Sequence, residues 1–182
     1  MNKKRGKNLA ALAVAALISA LIMLAMRTAP AVSMGETKLT FTEFFTVRDG
    51  LAKSRDLKKE AISDVVVGEG VVLSFIEDAL VRTELQKKGM GEAEVKAFLF
   101  GAGGREDLDK LHEATSRLYG WNVSEFENYV LLPQARRIML VRELQKENKN
   151  PDEWLKNAKQ ETSVRVYLPR WKWEKGELKS RY

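Results

Sequence analysis

The sequence predicts a mostly α-helical protein that begins with a transmembrane helix and contains one short β-strand near its C-terminus. Three observations support this fold class. An uncharged run covers residues 9–26, helix-capping signals and apolar residues at helical spacing recur through residues 39–168, and only residues 163–168 alternate as a strand does. These patterns divide the chain into a basic region with a transmembrane anchor (1–27), a linker (28–38), a helical domain (39–168) and a basic, aromatic tail (169–182).

The N-terminal segment has the composition of a membrane anchor. As a helix, the 18 uncharged residues 9–26 would be about 27 Å long, close to the thickness of a bilayer core of about 30 Å. Four basic residues precede this run and Arg27 follows it, which predicts a cytoplasmic N-terminus and an extracytoplasmic body, periplasmic or on the cell surface. The small residues of Ala29-Pro30-Ala31 leave cleavage as a signal peptide open as an alternative. We therefore predict a single-pass protein of a bacterial cell membrane.

The charge distribution argues against a nucleic-acid partner. Of the 31 Lys and Arg residues, five lie in residues 1–27, where there is no Asp or Glu, so the rest of the chain carries 26 basic and 25 acidic residues. The net charge of +6 therefore reflects membrane topology rather than a phosphate-binding surface. The chain has no cysteine, which excludes disulfides, thiolate catalysis and cysteine-ligated zinc.

A local group of basic and aromatic residues near the C-terminus indicates a different class of binding partner, an anionic surface. Such a group suits anionic lipid headgroups or cell-wall polymer, and a solvated tail with a few aromatic anchors is the alternative. Its members are Arg165, Arg170, Lys172, Lys175, Lys179 and Arg181, with Tyr167, Trp171 and Trp173 between them.

Local signals predict about six helices in the body of the protein. Thr40 and Glu43 form a capping box before the first helix, and Gly89 and Gly120 end two others. On the fourth helix we expect Leu108, Leu111, Thr115 and Leu118 to face inward. The predicted helices cover residues 41–59, 69–88, 91–100, 106–119 and 123–147, followed by a short helix that begins at Pro151.

The longest predicted helix, residues 123–147, starts with a second capping pair and contains a proline. Asn122 and Glu125 repeat the spacing of a capping box. Pro133 has no amide hydrogen, and its ring clashes with the preceding turn. We therefore expect a kink near residues 129–132.

The predicted strand at residues 163–168 needs a partner, because a lone strand is not stable. Three consecutive valines at residues 65–67 form the candidate partner. An extended arm, without a pairing partner, is the alternative.

The residues provide no recognisable catalytic, cofactor or metal site. His112 is the only histidine, and its neighbours at helical spacing, Arg105 and Leu108, would not orient an imidazole for catalysis. The glycine-rich stretch at residues 101–104 follows a helix and lacks the Lys-Ser/Thr pair of a phosphate-binding loop. We therefore predict that the protein is not an enzyme and uses no cofactor or metal ion.

Five groups of segments, taken in order, resemble the N-terminal chaperone domain of SurA-type and PrsA-type extracytoplasmic foldases. They are similar to a helix start, a helix that ends in Lys-Lys-x-Gly, the acidic start of the next helix, a Glu-Phe motif with a long kinked helix, and a returning segment. The order of the segments carries the resemblance, which covers residues 38–168. The segments are residues 38–45, 71–80 with 84–89, 91–95, 118–126 with 132–137 and 141–144, and 152–155 with 164–168.

The resemblance implies a SurA N-like helical bundle that lacks the catalytic module of the family. In the two-domain members a parvulin prolyl-isomerase module lies between the long kinked helix and the returning segment. Here only residues 148–151 separate the two, and the two-histidine core of parvulins cannot be assembled from a single histidine. Prolyl-isomerase activity, as an alternative function, would therefore rest on family membership alone.

The resemblance also implies a cleft for peptides, since SurA-like domains bind extended or partly folded chains between their helices. Aromatic side chains suit such a cleft, and ordinary core packing is the alternative for each of them. Three of them flank glycine breaks, so we expect Phe98, Phe100 and Trp121 to be the least buried. The predicted peptide-binding residues are Phe98, Phe100, Trp121, Phe126 and Tyr129.

These observations together predict a membrane-anchored, extracytoplasmic, chaperone-like protein without catalytic activity. Its expected partners are unfolded or exported polypeptides, and the membrane through the N-terminal helix. Two alternatives come from the same features. The protein would be a structural or assembly factor that docks one dedicated envelope partner, or it would bind lipid or wall polymer through its C-terminal tail.

Overall fold

The structure, a computed structural model, describes residues 28–57, 63–101 and 106–182, and these residues are mostly helical with a few short strands. The mostly α fold is thereby confirmed. The helices are α1 (Phe41–Leu57), α2 (Asp64–Lys87), α3 (Glu92–Phe100), α4 (Glu106–Tyr119), α5 (residues 123–146) and α6 (Pro151–Glu161). Helix α5 consists of α-helical Val123–Phe126, a π-helical turn Glu127–Leu131 and α-helical Leu132–Lys146. The strands are β1 (Pro30–Met34), β2 (Thr37–Thr40), β3 (Arg165–Val166), β4 (Trp171–Glu174) and β5 (Glu177–Ser180).

The predicted transmembrane helix, residues 9–26, lies outside the described residues. Among the helices that the structure does describe, none has the length and apolar composition needed to cross a membrane. Membrane anchoring therefore stays a prediction from the sequence.

Side-chain caps fix the starts of three helices, as the sequence predicts for two of them. At α1, the backbone N–H of Thr40 donates to the Glu43 carboxylate (2.8 Å), and the backbone N–H of Glu43 donates to the Thr40 hydroxyl (3.2 Å). The same reciprocal pair joins Asn122 and Glu125 at α5, at 2.8 and 2.9 Å. Asn150 caps α6 by accepting from the two backbone N–H groups after Pro151. Each cap contributes about 1 kcal/mol, which is why short local signals locate these helices well.

Strands β1 and β2 form a hairpin in the segment predicted to be a linker, residues 28–38. β1 is the central strand of an antiparallel sheet with the order β2-β1-β3. Gly35, whose φ is +56°, and Glu36 make the two-residue turn between β1 and β2. Ala31 and Val32 are both completely buried, so β1 lacks the apolar–polar alternation by which a strand is recognised.

The C-terminal strand is shorter than predicted and pairs elsewhere. Only two residues of the predicted strand 163–168 form β3, and they pair with β1. The proposed partner, residues 65–67, is helical instead, because α2 begins at Asp64 rather than at residue 69. Val67 is buried in the core there, and this burial outweighs the weak preference of valine for strands.

Residues 169–182, predicted to be a basic, aromatic tail, form a second hairpin from β4 and β5. Its turn at Lys175 and Gly176 has φ values of 51° and 83°, typical of a tight turn that matches the twist of the strands. Trp171 is buried, and its ring meets the ring of Phe44 on α1 edge to face, with 6.3 Å between the centroids. The hairpin is therefore part of the core.

The elements enclose two adjoining apolar clusters. The first lies between α1, α2 and the strands and contains Val72 and Ile76, both completely buried. The second lies between the C-terminal part of α2, α3 and α5 and contains Leu85, Val95 and Leu144. Helix α2 therefore runs through the whole domain and holds the sheet side and the α5 side together.

Helix α4 faces the core differently from the prediction. Thr115 is buried as expected, but Leu111 and Leu118 are 37% and 36% exposed. The side chain of Leu108 lies outside the part of the chain that the structure describes. Leu57, at the end of α1, is a third exposed apolar side chain, 55% exposed, and it lines a second, open depression together with Leu118. A helical stripe read from sequence shows which residues share a face, but not whether another element covers that face.

The kink predicted near residues 129–132 corresponds to the π-helical turn of α5. This turn ends two residues before Pro133. Proline cannot donate the hydrogen bond of a regular helix, and π-helical turns accommodate such a local interruption.

Glu147 joins the C-terminal ends of α2 and α5 and gives a prediction for pH dependence. A hydrogen bond from Lys149, together with one from Lys88 at the end of α2, lowers the pKa of Glu147 from 4.5 to about 2. Because the pKa is lowered on folding, the stabilisation is present above pH 4.5 and is lost as the pH falls towards 2. An NMR titration of the Glu147 carboxyl should show this low pKa, and Lys149→Ala should raise it. An ordinary pKa of Glu147 in the unsubstituted protein would contradict the pairing.

Candidate functional site

An open cleft of about 480 Å³ lies beside β2, between α1, α2 and the π-helical turn of α5. Its volume falls within the range of typical ligand pockets, about 300–1,000 Å³. It has an apolar floor, an aromatic wall and a charged end, and each comes from a different part of the chain.

The floor is apolar because helical spacing places apolar residues of α1 and α2 on the faces that meet there. Val47 and Leu51 are one turn apart on α1. Val71, Phe75 and Ala79 follow at the same spacing on α2. Two of these five, Val71 and Ala79, are buried, whereas the other three stay partly exposed. The partly exposed side chains are open to contact by a bound apolar group.

Trp121 forms the wall of the cleft and is buried, so the prediction that it is among the least buried aromatic residues is wrong. Only 3% of its surface is exposed. Its indole N–H donates to the backbone oxygen of Thr46 (3.1 Å), and its ring stacks on Tyr119 with 4.7 Å between the centroids. Gly50 on α1 provides the space, because a Cβ atom at that position would lie 2.3 Å from the indole ring.

The π-helical turn continues this wall. It presents Val130 and Tyr129 to the cleft, and the ring of Tyr129 meets Trp121 edge to face, with 5.5 Å between the centroids. Burial raises the pKa of the Tyr129 phenol, and the negative charges of Glu43 and Glu125 raise it further. The phenol is therefore a neutral hydrogen-bond donor at physiological pH. Single π-helical turns within α-helices occur frequently at functional sites, which favours this region as the site.

The charged end of the cleft is a buried network around Arg136, whose surface is only 3% exposed. One guanidinium nitrogen of Arg136 donates to both oxygens of Asp78 (2.7 and 2.8 Å), and another donates to both oxygens of Glu92 (3.0 and 3.3 Å). Arg82 adds a bond to Asp78 at 3.2 Å. Two arginines thus face two carboxylates, and the network joins α2, α3 and α5 without a net charge.

The structure brings together two of the five predicted peptide-binding residues, Trp121 and Tyr129, in the cleft. Phe126 lies next to them and is partly exposed, with its ring 5.7 Å from the ring of Tyr119. The predicted peptide-binding residues that follow Gly120 in the sequence therefore lie in or next to the cleft.

The other two predicted residues, Phe98 and Phe100, lie on α3 and do not line the cleft. Phe98 is 36% exposed, and the guanidinium of Arg142 on α5 covers its ring at 5.0 Å from the centroid. Phe100 is partly buried. Both were predicted to be among the least buried aromatic residues. Phe98 is exposed, as this prediction requires, whereas Phe100 is partly buried.

Several residues of the cleft were not among the predicted site residues. Val47, Leu51 and Phe75 have a signal in the sequence, since they continue the apolar stripes of two predicted helices. The spacing does not show that the two stripes line an open cleft instead of a closed core. Lys38 lies in the predicted linker, and nothing local distinguishes the buried Arg136 from its exposed neighbour.

The chemistry of the cleft suits binding rather than group transfer. Its arginines and Asp78 are paired with each other, the Glu43 carboxylate caps α1, and the Tyr129 phenol stays protonated; Lys38 on β2 is a further cation in the lining. His112 is exposed on α4, outside the cleft. Within the part of the chain that the structure describes, no group of histidine, aspartate and glutamate residues is arranged to hold a metal ion.

Comparison with known proteins adds no relative. No family model matches the sequence, and neither a curated protein nor a solved structure was found to match the chain. The resemblance to the SurA-type chaperone domain therefore stays a prediction from the sequence.

Proposed function

We propose that this protein binds apolar segments of unfolded or exported polypeptides, here called clients, in the cleft beside β2, without catalysing a reaction on them. The observation that carries the proposal is the open cleft itself, in which Val47, Leu51 and Phe75 stay partly exposed between two helices. Besides Lys38 on the β2 edge, the cleft presents charges that are paired or cap a helix and a protonated phenol, so apolar contact is the main interaction that its side chains provide.

The expected affinity fits a protein that holds and releases its clients. Burial of apolar surface contributes about 25 cal/mol per Å², so one or two large client side chains would contribute a few kcal/mol. Ordering the client chain costs part of this. The result is weak, reversible binding with little sequence specificity, which is what a holdase needs.

The proposed location is the outer face of a membrane. The basic flank and apolar run of residues 9–26 are those of an anchor with its N-terminus in the cytoplasm. β1 begins at Pro30, only three residues after Arg27, and three residues span at most about 11 Å. An anchored body would therefore stay close to the membrane that its clients cross. The resemblance to SurA-type chaperone domains without their parvulin module supports the same function.

Filling the cleft should abolish client binding. Ser74 lines the cleft from the exposed side of α2, so Ser74→Trp places a large ring in the cleft without removing a core side chain. With the full-length protein in lipid nanodiscs and a fluorescent, permanently unfolded polypeptide, we expect affinity to fall about tenfold or more, equivalent to about 1.4 kcal/mol. Fluorescence anisotropy measures the binding.

Lys87→Trp is the matched control, because Lys87 lies on the same helix, is 69% exposed and does not line the cleft. It should bind the polypeptide as the unsubstituted protein does. Equal binding by all three proteins would exclude the cleft. In that case the exposed leucines of α4 would be the next surface to test, for docking of one dedicated partner.

A further inference from the structure

Strand β2 is an edge of the sheet and also borders the cleft. The strand order is β2-β1-β3, and among the described residues no strand pairs with the outer side of β2. Thr37, Lys38 and Leu39 of β2 all line the cleft. The open edge of the sheet and the apolar floor are therefore parts of one continuous surface.

The register shows which backbone groups of β2 point outward. The two-residue turn makes Met34 and Thr37 a hydrogen-bonded pair, so in an antiparallel ladder the next pair, Ser33 and Lys38, is not hydrogen-bonded. The N–H and C=O of Lys38 thus point away from β1, towards the open edge. A hydrogen bond of β1 supports this orientation. The backbone oxygen of Ala31 points to the same side of β1 as that of Ser33, and it accepts from the backbone N–H of Tyr167 on the β3 side (2.9 Å).

The start of α1 is consistent with the same orientation. Thr40 follows Lys38 by two residues, so its N–H should also point away from β1. That N–H donates to the Glu43 carboxylate at 2.8 Å, in the capping box of α1. The Thr40 N–H is therefore already used, and the backbone groups of Lys38 are those with which another chain can pair on the outer edge of β2.

We propose that a client binds as an added strand on β2, pairing its backbone with Lys38 and placing alternate side chains in the cleft. This inference rests on the proposed function and adds the manner of binding. The four residues of β2 span about 13 Å, so they pair with about four client residues, of which two face the cleft. Main-chain pairing gives affinity, and the pockets for alternate side chains give selectivity.

An unfolded polypeptide fits this surface better than a second copy of the chain does. A client that buries side chains in the cleft also removes part of its backbone from water, and its N–H and C=O groups then need partners. The edge of β2 supplies them for almost any sequence. Two copies paired through β2 would place Lys38 near its counterpart, and like charges opposite each other destabilise a strand pair.

Lys38→Pro tests the pairing, with Lys38→Ala as its control. Proline removes the outward N–H but none of the bonds to β1, and proline is tolerated on an edge strand in that orientation. In nanodiscs, with the full-length protein and a short labelled peptide that has leucine at every second position, we expect Lys38→Pro to weaken binding about tenfold. Lys38→Ala removes the same side chain but keeps the backbone N–H, so Lys38→Pro should bind about tenfold more weakly than Lys38→Ala does, at matched thermal stability.

A second measurement uses the unsubstituted protein and changes only the peptide. N-methylation of the peptide amides that would face β2 should weaken binding about tenfold, whereas methylation of the alternate amides should not. Equal affinity for both methylated peptides, or unchanged binding by Lys38→Pro, would overturn the proposal. If Ser74→Trp still abolishes binding in that case, the cleft function stands and only the added strand is wrong. Dimers of the protein that dissociate in Lys38→Pro would assign the edge to a second copy instead.

Discussion

Replacing Gly50 with alanine should destabilise the protein by about 3 kcal/mol, although the change adds one methyl group. The new Cβ atom would lie 2.3 Å from the indole ring of Trp121. Trp121 cannot move away freely, because it stacks on Tyr119 and its N–H bonds to Thr46. A shift of the ring would lose that hydrogen bond, which contributes about 1 kcal/mol, and would strain the wall of the cleft.

The control for this prediction is Gly70→Ala, the same change in another helix. Nothing lies within 4 Å of a Cβ atom at Gly70, so alanine should stabilise the protein by about 0.4–1 kcal/mol through its helix propensity and the entropy of the unfolded chain. Urea titrations followed by tryptophan fluorescence measure both changes in the free energy of unfolding. Equal stabilities of the two variants would mean that Trp121 does not lie on Gly50.

Arg136→Met should destabilise the protein by about 3 kcal/mol or more. Methionine fits the volume of the arginine stem, but it leaves the carboxylate of Asp78 with only Arg82 as its partner in a site where Asp78 is 16% exposed. Removing one partner of a buried ion pair costs more than replacing the whole pair, because the remaining charge stays buried.

Two further variants separate this electrostatic effect from a loss of packing. Arg137→Met removes the neighbouring arginine, which is 64% exposed and 3.9 Å from Glu77, and it should change stability by less than about 0.5 kcal/mol. Adding Asp78→Asn to Arg136→Met should recover part of the loss. No recovery in the double variant would show that the stem of Arg136 acts through packing alone.

The parts of the fold that the sequence predicts are those with local causes. Thr40 with Glu43, and Asn122 with Glu125, form their caps within four residues, so both helix starts could be located without the rest of the chain. The interruption of α5 likewise follows from Pro133 alone.

The sheet could not be predicted in this way, because its pairing is not local. Val32 pairs with Val166, so the central strand depends on a contact between the two ends of the described body. β1 buries two neighbouring side chains and so shows no strand period, whereas β3 lies in the alternating segment that the sequence does predict as a strand but keeps only two paired residues. The triplet at residues 65–67 has strand propensity, but burial of Val67 in a helix overrides it.

In the candidate site, too, features with local causes are predicted from the sequence, and features that depend on distant contacts are not. The glycine break before Trp121 predicts that it is among the least buried aromatic residues, but it is buried against Gly50 of α1, which is distant in the sequence. The sequence predicts the apolar stripes of α1 and α2, but the cleft depends on how these helices pack with β2 and α5. Arg136 and Arg137 are adjacent and chemically alike, and only the carboxylates of Asp78 and Glu92 distinguish them.

A single cysteine in the cleft provides the most direct test of the central claim that clients bind there. The chain has no cysteine, so Asn128→Cys and Lys87→Cys can each carry one environment-sensitive fluorophore. Asn128 lines the cleft but is exposed, whereas Lys87 lies outside the cleft. On titration with an unfolded polypeptide, the fluorophore at residue 128 should shift to shorter wavelengths in a saturable manner, and the one at residue 87 should not change. A client that binds, as its own anisotropy reports, while the fluorophore at residue 128 stays unchanged would contradict the account.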